Sequence, residues 1–291
     1  MELTAPDNRE LSTSIDIEKV EAHMLGLPQA ECPVAHHFGP GVYIREVTLH
    51  AGIVAIGHAQ KHPHLNIVLS GSVAMISDDG TVKVMKAPMI FTGKPGRKVG
   101  YVIETCVWQN VYPNPDEERD VDKLEARWLD KSPTWVDRQQ AKISVLRHER
   151  EADREDFAKL IRDVGFTPEL VRQQSENPDD QIPMPDGWSA VITIRDSEIE
   201  GKGVFITASI RQGDTIGPAR LNGFRTPLGR YTNHSKNPNA RFVKNVVGDI
   251  YLIAIRDIAG CKGGDSGEEV TVDYREALSL SGITFSEGDK S

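Results

Sequence analysis

Short apolar runs separated by turn residues follow one another from residue 41 onward. These runs predict strands at 42–49, 53–58, 66–69, 73–77, 82–85, 87–92 and 101–111. Ala51-Gly52, Ser70-Gly71 and Asp78-Asp79-Gly80 stand between runs and predict tight turns, the last of them closing a hairpin. Several short strands with closely spaced turns predict a small β-barrel or sandwich.

A helical pattern replaces the strand pattern from 116 to 174. One apolar stripe repeats at i, i+3, i+4 and i+7, and consists of Phe157, Leu160, Ile161 and Val164. Gly165 follows as a C-cap, and Thr167-Pro168 predicts the start of a further short helix. The polar, proline-rich segment 175–187 predicts a linker, and strands return at 190–194, 204–207 and 250–254.

These patterns together predict a mainly β protein with a helical centre. A length of 291 residues favours more than one domain. The predicted divisions are an N-terminal extension at 1–40, a β domain at 41–115, a helical connector with its linker at 116–185, and a second β domain at 186–291.

Composition and charge narrow the class of protein. With 38% hydrophobic and 26% charged residues, the chain has the composition of a soluble globular protein. The net charge of −9 comes mostly from 116–185, where 18 acidic residues outnumber 12 basic ones. The sequence contains no basic patch of the kind that would indicate nucleic-acid binding. No apolar run predicts a membrane span, and no secretory leader is evident. Three scattered cysteines fit a reducing compartment, so we expect a cytoplasmic protein.

A histidine pair marks the first β region as a candidate metal or ligand site. The segment 57–71 contains His62-Pro63-His64 and ends on Gly71. Alternate side chains of a strand share one face, so His62 and His64 are expected to point to the same side. Two imidazoles on one face suit a divalent metal such as Fe, Mn, Ni or Zn.

This segment resembles the first motif of the cupin family, in which an HxH pair on a barrel strand holds a metal. Residues 95–99 resemble the turn of the second cupin motif. The family pattern has a carboxylate where this chain has Val68, and a third histidine where it has Val99. A complete metal site therefore needs a ligand from elsewhere, such as His58 or Glu104. The resemblance implies a cupin-like fold that either holds a metal at the histidine pair or serves as a scaffold for binding.

Three motifs in the last third of the chain carry its most specific signal. They are 200–203 (EGKG), 230–241 (RYTNHSKNPNAR) and 267–274 (GEEVTVDY). Their order and spacing resemble the signature of SET-domain protein lysine methyltransferases, over about residues 188–278. The resemblance implies methyl transfer from S-adenosylmethionine (SAM) to a lysine amine of a protein. It also implies that the second and third motifs thread together into a pseudoknot, which places residues 233 and 274 side by side.

The resemblance assigns cofactor-binding roles to five residues. Gly201, Lys202 and Gly203 would form the turn that lets the backbone approach SAM, because glycine has no Cβ. Asn233 and His234 would contact SAM through their backbone and through the Asn233 side chain.

The resemblance also identifies candidate catalytic residues. Tyr274 matches the family's catalytic tyrosine, whose hydroxyl would orient the amine and favour its neutral form, and Tyr231 is a candidate wall of the lysine channel. Glu268 and Glu269 are expected to be structural. Because the segment between Gly213 and Tyr231 is short, we expect the compact form found in viral and bacterial proteins. Substrate choice is then expected to come from the N-terminal domain or from oligomer partners.

Three functions remain open at the level of sequence. The leading one is a SAM-dependent protein lysine methyltransferase that acts on a partner protein as a homo-oligomer, with the cupin-like domain in targeting or assembly. The second is a binding or structural protein whose SET fold has little activity, which tight SAM binding without transfer would favour. The third is a metal-dependent cupin enzyme, which a stoichiometric metal at the histidine pair would favour.

Overall fold

The computed structural model describes residues 16–76, 81–188 and 191–280. The turn predicted at 78–80 lies outside the described residues. Helix α1 (Ile17–Leu25) comes first, and the Asp16 carboxylate caps it by accepting from the Lys19 amide at 3.2 Å. The strands that follow are β1 (Val34–Gly39), β2 (Val42–Leu49), β3 (Val54–Ile56), β4 (Ala59–Gln60), β5 (His64–Ile76), β6 (Val82–Lys86), β7 (Met89–Gly93) and β8 (Val99–Pro113).

Seven of these strands form one antiparallel sheet. Its order is β1-β2-β8-β5-β6, with β3 also paired to β8 and β7 also paired to β5. Among the described residues no pairing joins the two edges, so the sheet is open and not the closed barrel that was one of the predicted forms. β1 forms one edge, although it falls within the predicted extension at 1–40. The core under the sheet consists of Val68, Val73, Met85, Val102, Cys106 and Trp108.

Ser70 and Gly71, predicted as a turn, lie inside the continuous strand β5. The register between β5 and β8 shifts three times between Val68 and Val73, which marks β-bulges. Gly71 has φ +74°, and a methyl group on it would lie 2.1 Å from the carbonyl oxygen of Thr105. The turn prediction was wrong because a bulge and a turn both select glycine, here for close approach of two strands.

The centre of the chain is helical, as the sequence pattern predicted. Thr167 caps its helix through a hydrogen bond from the Leu170 amide at 3.2 Å, and Gly165 adopts φ +77° just beyond the end of the preceding helix. No helix within the described ranges is long and apolar enough to cross a membrane. The elements are α2 (Val121–Trp128), β9 (Leu129–Asp130), α3 (Pro133–Glu149), α4 (Glu151–Asp163) and α5 (Pro168–Glu176), and β9 pairs with β4.

The segment 175–187, predicted as a linker, is bonded to the C-terminal β region. The Ile182 amide donates to the Arg225 carbonyl oxygen at 2.9 Å. Asp180 accepts two hydrogen bonds from the Arg225 guanidinium, at 2.6 and 2.8 Å. The segment therefore has a fixed position on the C-terminal sheet.

The C-terminal region consists of small sheets around one apolar core. Strands β10 and β11 form an antiparallel pair, the order β13-β12-β16-β15 forms a second sheet, and β14 pairs with β17 in parallel. The elements are β10 (Ile192–Asp196), β11 (Lys202–Ile206), β12 (Thr215–Leu221), β13 (Phe224–Arg225), α6 (Pro227–Tyr231), β14 (Asn233–His234), β15 (Ala240–Lys244), β16 (Ile250–Ala254), β17 (Thr271–Val272) and α7 (Tyr274–Leu280). The fully buried core includes Val204, Ile206, Ile216, Leu228, Leu252, Val270 and Val272.

Candidate active site

The parallel pair β14–β17 brings together two motifs that lie far apart in sequence. Asn233 pairs with Thr271, and His234 pairs with Val272. Asn239 strengthens the junction, because its side chain donates to the Glu269 carbonyl oxygen and accepts from the Thr271 amide, both at 2.8 Å. The pairing places the start of α7, where Tyr274 stands, directly beside the Asn-His segment.

The Asn233 side chain holds the turn between β10 and β11. Its Nδ2 donates to the carbonyl oxygens of Glu200 and Lys202, each at 3.1 Å, and to Glu269 Oε1 at 2.9 Å. Ser197 donates to the same Glu269 oxygen at 2.8 Å, and burial raises the pKa of that carboxyl. Glu269 therefore has a structural role, as predicted, because its buried carboxylate accepts hydrogen bonds from Asn233 and Ser197 and holds them in place.

The two glycines of this turn have different surroundings. Gly201 adopts φ +52°, and no atom lies within 4 Å of the position that a Cβ would take, so its backbone faces open space. A Cβ on Gly203 would lie 2.3 Å from Glu269 Oε1, so only glycine allows the carboxylate to approach this closely. The open side at Gly201 fits a ligand that contacts the backbone.

Lys202 was predicted to bind the cofactor as part of the backbone turn, and its side chain is engaged elsewhere. Its ammonium pairs with Asp120 at the N-terminus of α2 and with Asp196, both at 2.8 Å. Partial burial opposes the charge, but the two carboxylates outweigh it and raise the pKa of Lys202. Lys202 thus faces the site only through its carbonyl oxygen, which Asn233 binds.

His234 is buried and both of its ring nitrogens are occupied. Nδ1 accepts from the Tyr274 backbone amide at 3.2 Å, so Nε2 carries the proton and donates to Asp156 Oδ2 at 2.8 Å. The ring therefore joins the first turn of α7 to helix α4, and only the backbone of His234 is left to contact a ligand.

Two buried acids of α4 anchor the Asn-His motif, and the sequence analysis did not identify them. Asp156 accepts two hydrogen bonds from the Arg275 guanidinium, at 2.8 and 3.0 Å, in addition to the one from His234. Arg275 and His234 together hold the pKa of Asp156 below its usual range. Asp153 accepts from the Ser235 hydroxyl and the Lys236 amide, both at 2.9 Å.

A signal for these acids was present in the sequence. Asp153 lies four residues before Phe157, and Asp156 lies directly before it. Both positions continue the helical spacing of the apolar stripe of α4 toward its N-terminus. Acidic side chains on the buried face of a helix need partners, and this was the available indication of a polar anchor.

The Tyr274 hydroxyl lies close to the backbone of the second motif. It donates to the Thr232 carbonyl oxygen at 2.8 Å, and the Phe157 ring of α4 packs edge-on against the tyrosine ring at 5.9 Å. Burial raises the pKa of Tyr274, so the hydroxyl is protonated at neutral pH. Tyr231 packs against the apolar core of the C-terminal region, and the Arg230 guanidinium lies over its ring at 4.9 Å.

The two histidines of the N-terminal pair differ in secondary structure and in burial. Strand β5 begins only at His64, so the alternation of a strand does not extend to His62. His62 is exposed and meets the edge of Trp128, whereas His64 is buried against Tyr112. In the part of the chain that the structure describes, no group of three or more His, Cys, Asp or Glu is placed to hold a metal ion. The strand that was expected to carry both histidines therefore carries only His64.

Comparison with known families supports the assignment of the C-terminal region. Residues 219–275 match the family model of the SET domain. This span includes the Asn-His motif and reaches just past Tyr274. The C-terminal β region therefore carries a SET domain, and this confirms the resemblance seen in the sequence. No curated protein matches the chain.

The N-terminal strands are similar to several solved structures. A protein from Neisseria meningitidis is 11% identical, with a TM-score of 0.26, over 34% of this chain and 98% of that one. A cupin-2 domain containing protein from Shewanella frigidimarina is 12% identical, with a TM-score of 0.24, over 34% and 94%. Ectoine synthase from P. lautus is 11% identical, with a TM-score of 0.25, over 30% and 67%.

Proposed function

We propose that this chain is a SAM-dependent protein lysine N-methyltransferase. The observation that carries the proposal is the pairing of β14 with β17, since it sets Tyr274 against His234 and Thr232. These two residues flank Asn233, whose side chain holds the glycine turn. The SET-domain match over the same residues supports it.

The residues around the glycine turn fit the cofactor that this function requires. Gly201 offers exposed backbone, and the Asn233 amide is already used to shape the turn. The backbone of Asn233 and His234, held by α4 and by Glu269, would bind SAM together with the Gly201-Gly203 turn. When bound, SAM supplies a methyl group on a sulfonium that is activated for direct displacement.

Tyr274 would act by orienting the amine that accepts the methyl group. Its proton is committed to the Thr232 carbonyl oxygen, so the phenolic oxygen presents its lone pairs to an N–H donor. A buried hydroxyl with a raised pKa does not serve as a phenolate base at neutral pH. The amine therefore has to arrive neutral, and Tyr274 would align its lone pair with the methyl carbon.

The N-terminal sheet would act in targeting or assembly. The SET region is compact, so we propose that the sheet contributes to recognition of the protein whose lysine is methylated. We further propose that the chain works in the cytoplasm and as a homo-oligomer.

The test is transfer of labelled methyl from SAM to proteins of a bacterial extract. The wild type should label protein bands, and Tyr274→Phe should lower the rate about 100-fold, because a misaligned amine costs roughly that factor. Tyr101→Phe is the matched control, since Tyr101 is exposed on the N-terminal sheet, and it should label like the wild type.

Two outcomes would contradict the proposal. Equal labelling by wild type and Tyr274→Phe would remove the catalytic role of the tyrosine. SAM binding by calorimetry without any labelled protein would instead support the second function, a SET fold that serves as a binding module.

A further inference from the structure

Three polar side chains of the N-terminal sheet converge on Gly93 at the end of β7. His64 and Asn66 come from β5, and Lys98 immediately precedes β8. A methyl group on Gly93 would lie 2.4 Å from Asn66 Nδ2, 2.8 Å from Lys98 Nζ and 2.9 Å from His64 Cε1. The ends of the three side chains thus lie close to one another, and only glycine at position 93 lets them come together there.

The Asn66 amide is aimed at this point by its neighbours. Asn66 Oδ1 accepts from Trp108 Nε1 at 3.0 Å and from Asn110 Nδ2 at 2.9 Å. Two donors on one oxygen fix which end of the amide is nitrogen. Asn66 is fully buried, and its Nδ2 has no hydrogen-bond partner. A buried donor without a partner is unusual and calls for a ligand or water.

Lys98 brings a positive charge without a counterion. Burial lowers the pKa of Lys98, and within the described ranges no carboxylate lies at ion-pair distance from its ammonium. Its neighbour is the face of Phe91, at 5.8 Å, and Phe91 in turn meets Trp108 edge-on at 5.7 Å. The charge therefore stands over an apolar wall beside the free Asn66 donor.

His64 adds an acceptor to the two donors. Its Nδ1 donates to the His62 carbonyl oxygen at 3.1 Å, which leaves Nε2 as a lone pair on the neutral ring. His64 is 4% exposed, and Nε2 has no hydrogen-bond partner. The cluster offers an ammonium, an amide N–H and an imidazole lone pair, all partly or fully shielded from water.

We propose that Lys98, Asn66 and His64 form a metal-independent binding site for a small carboxylate. The two carboxylate oxygens would accept from Lys98 and Asn66, and a hydroxyl next to the carboxylate would donate to His64 Nε2. Phe91 and Trp108 would pack against the carbon part of the ligand.

The experiment is isothermal titration calorimetry of the full chain with glycolate and acetate. Both should bind saturably, and glycolate more tightly, because only glycolate has the hydroxyl for His64. Lys98→Met should weaken glycolate binding about tenfold or more, as expected for loss of a charged hydrogen bond. Lys94→Met removes an exposed lysine of the same segment and should bind like the wild type.

Gly93→Ala gives a second and independent variant, because its methyl group would lie within 3 Å of all three side chains and push them apart. It should abolish glycolate binding while circular dichroism shows an unchanged fold; if it does not fold, Lys98→Met decides alone. The proposal is overturned if neither acid binds, if Lys98→Met binds like the wild type, or if inorganic phosphate binds in preference to both acids. It is equally overturned if Ni²⁺ or Zn²⁺ binds stoichiometrically and is lost on His64→Ala.

Discussion

At the scale of single residues, the site depends on side chains whose hydrogen bonds are all internal. Asn233 donates hydrogen bonds to Glu269 and to the glycine turn. His234 donates to Asp156 of α4. They therefore shape the backbone that a cofactor would meet. Asp156 is the residue on which most of this geometry depends, because it binds His234 and Arg275 at once.

Replacement of Asp156 by Asn should destabilise the fold by about 3 kcal/mol at pH 7, because Arg275 is then left without its buried partner. The folded-state pKa of Asp156 is lowered from 3.8, so its contribution is fully present above that pH. This contribution to the free energy of unfolding is lost as the pH falls from 3.8 toward the lower pKa of the folded state. In that range the carboxylate is protonated in the unfolded chain but not in the folded chain, so protons favour unfolding.

Urea unfolding of wild type and Asp156→Asn between pH 7 and pH 3 measures this effect. The difference in the free energy of unfolding should narrow toward low pH. Glu155→Gln, an exposed neighbour on the same helix, should change stability by less than about 0.5 kcal/mol. A difference that does not vary with pH would show that the Asp156 carboxylate is not paired in solution.

At the scale of elements, helix α2 connects the N-terminal sheet to the β10–β11 hairpin. Glu125 of α2 is buried and accepts from the Arg195 guanidinium of β10 at 2.9 and 3.2 Å. Lys131 lies 3.0 Å from the same carboxylate, and Arg45 of β2 lies 3.8 Å from it. Together these cations hold the pKa of Glu125 well below its usual range, although burial alone would raise it.

The same helix provides a direct comparison between a buried and an exposed ion pair. Glu125→Gln should lower the free energy of unfolding by about 3 kcal/mol, because three cations lose their shared carboxylate in a buried site. Arg127→Gln breaks an exposed pair with Asp116 and should leave the free energy of unfolding almost unchanged, because water screens the pair. Chemical denaturation of the two variants measures both effects. Similar costs would mean that α2 is not packed between the two β regions as described.

At the scale of the whole molecule, the helical connector is part of the candidate active site. Asp153 and Asp156 anchor the Asn-His motif, and Asp120 anchors Lys202 in the glycine turn. The predicted division at residue 186 would separate these acids from their partners. We therefore expect the C-terminal β region to depend on the connector for its stability.

A chain of residues 186–291 should unfold without a cooperative transition and should not bind SAM. A chain of residues 116–291 should unfold cooperatively and bind SAM. Thermal melts followed by circular dichroism, with calorimetry of SAM binding, test both statements. SAM binding by 186–291 with the affinity of the full chain would show that the connector is dispensable.

The N-terminal sheet should affect which proteins are methylated. Residues 116–291 should still transfer methyl to some proteins of the extract, but the pattern of labelled bands should differ from that of the full chain. An identical pattern would exclude a role for the sheet in substrate choice and would leave assembly as its function.

The sequence was informative where a local rule acts on neighbouring residues. The N-cap at Thr167, the C-terminal glycine at Gly165 and most strand positions follow from such rules. The same rules gave the wrong result at Gly71, where they predicted a turn. The glycine there allows a bulge of β5 against β8, and a local pattern does not contain that partner strand.

The sequence by itself determined that the C-terminal third carries a SET signature, because the identity of its motif residues is a property of the chain alone. It also determined the alternation of β, helical and β regions. Only the tertiary structure decided that α4 supplies the acids behind His234, that Lys202 turns toward α2, and that three polar side chains meet at Gly93. These are contacts between residues far apart in sequence, and packing of whole elements sets which side chains come within hydrogen-bond distance.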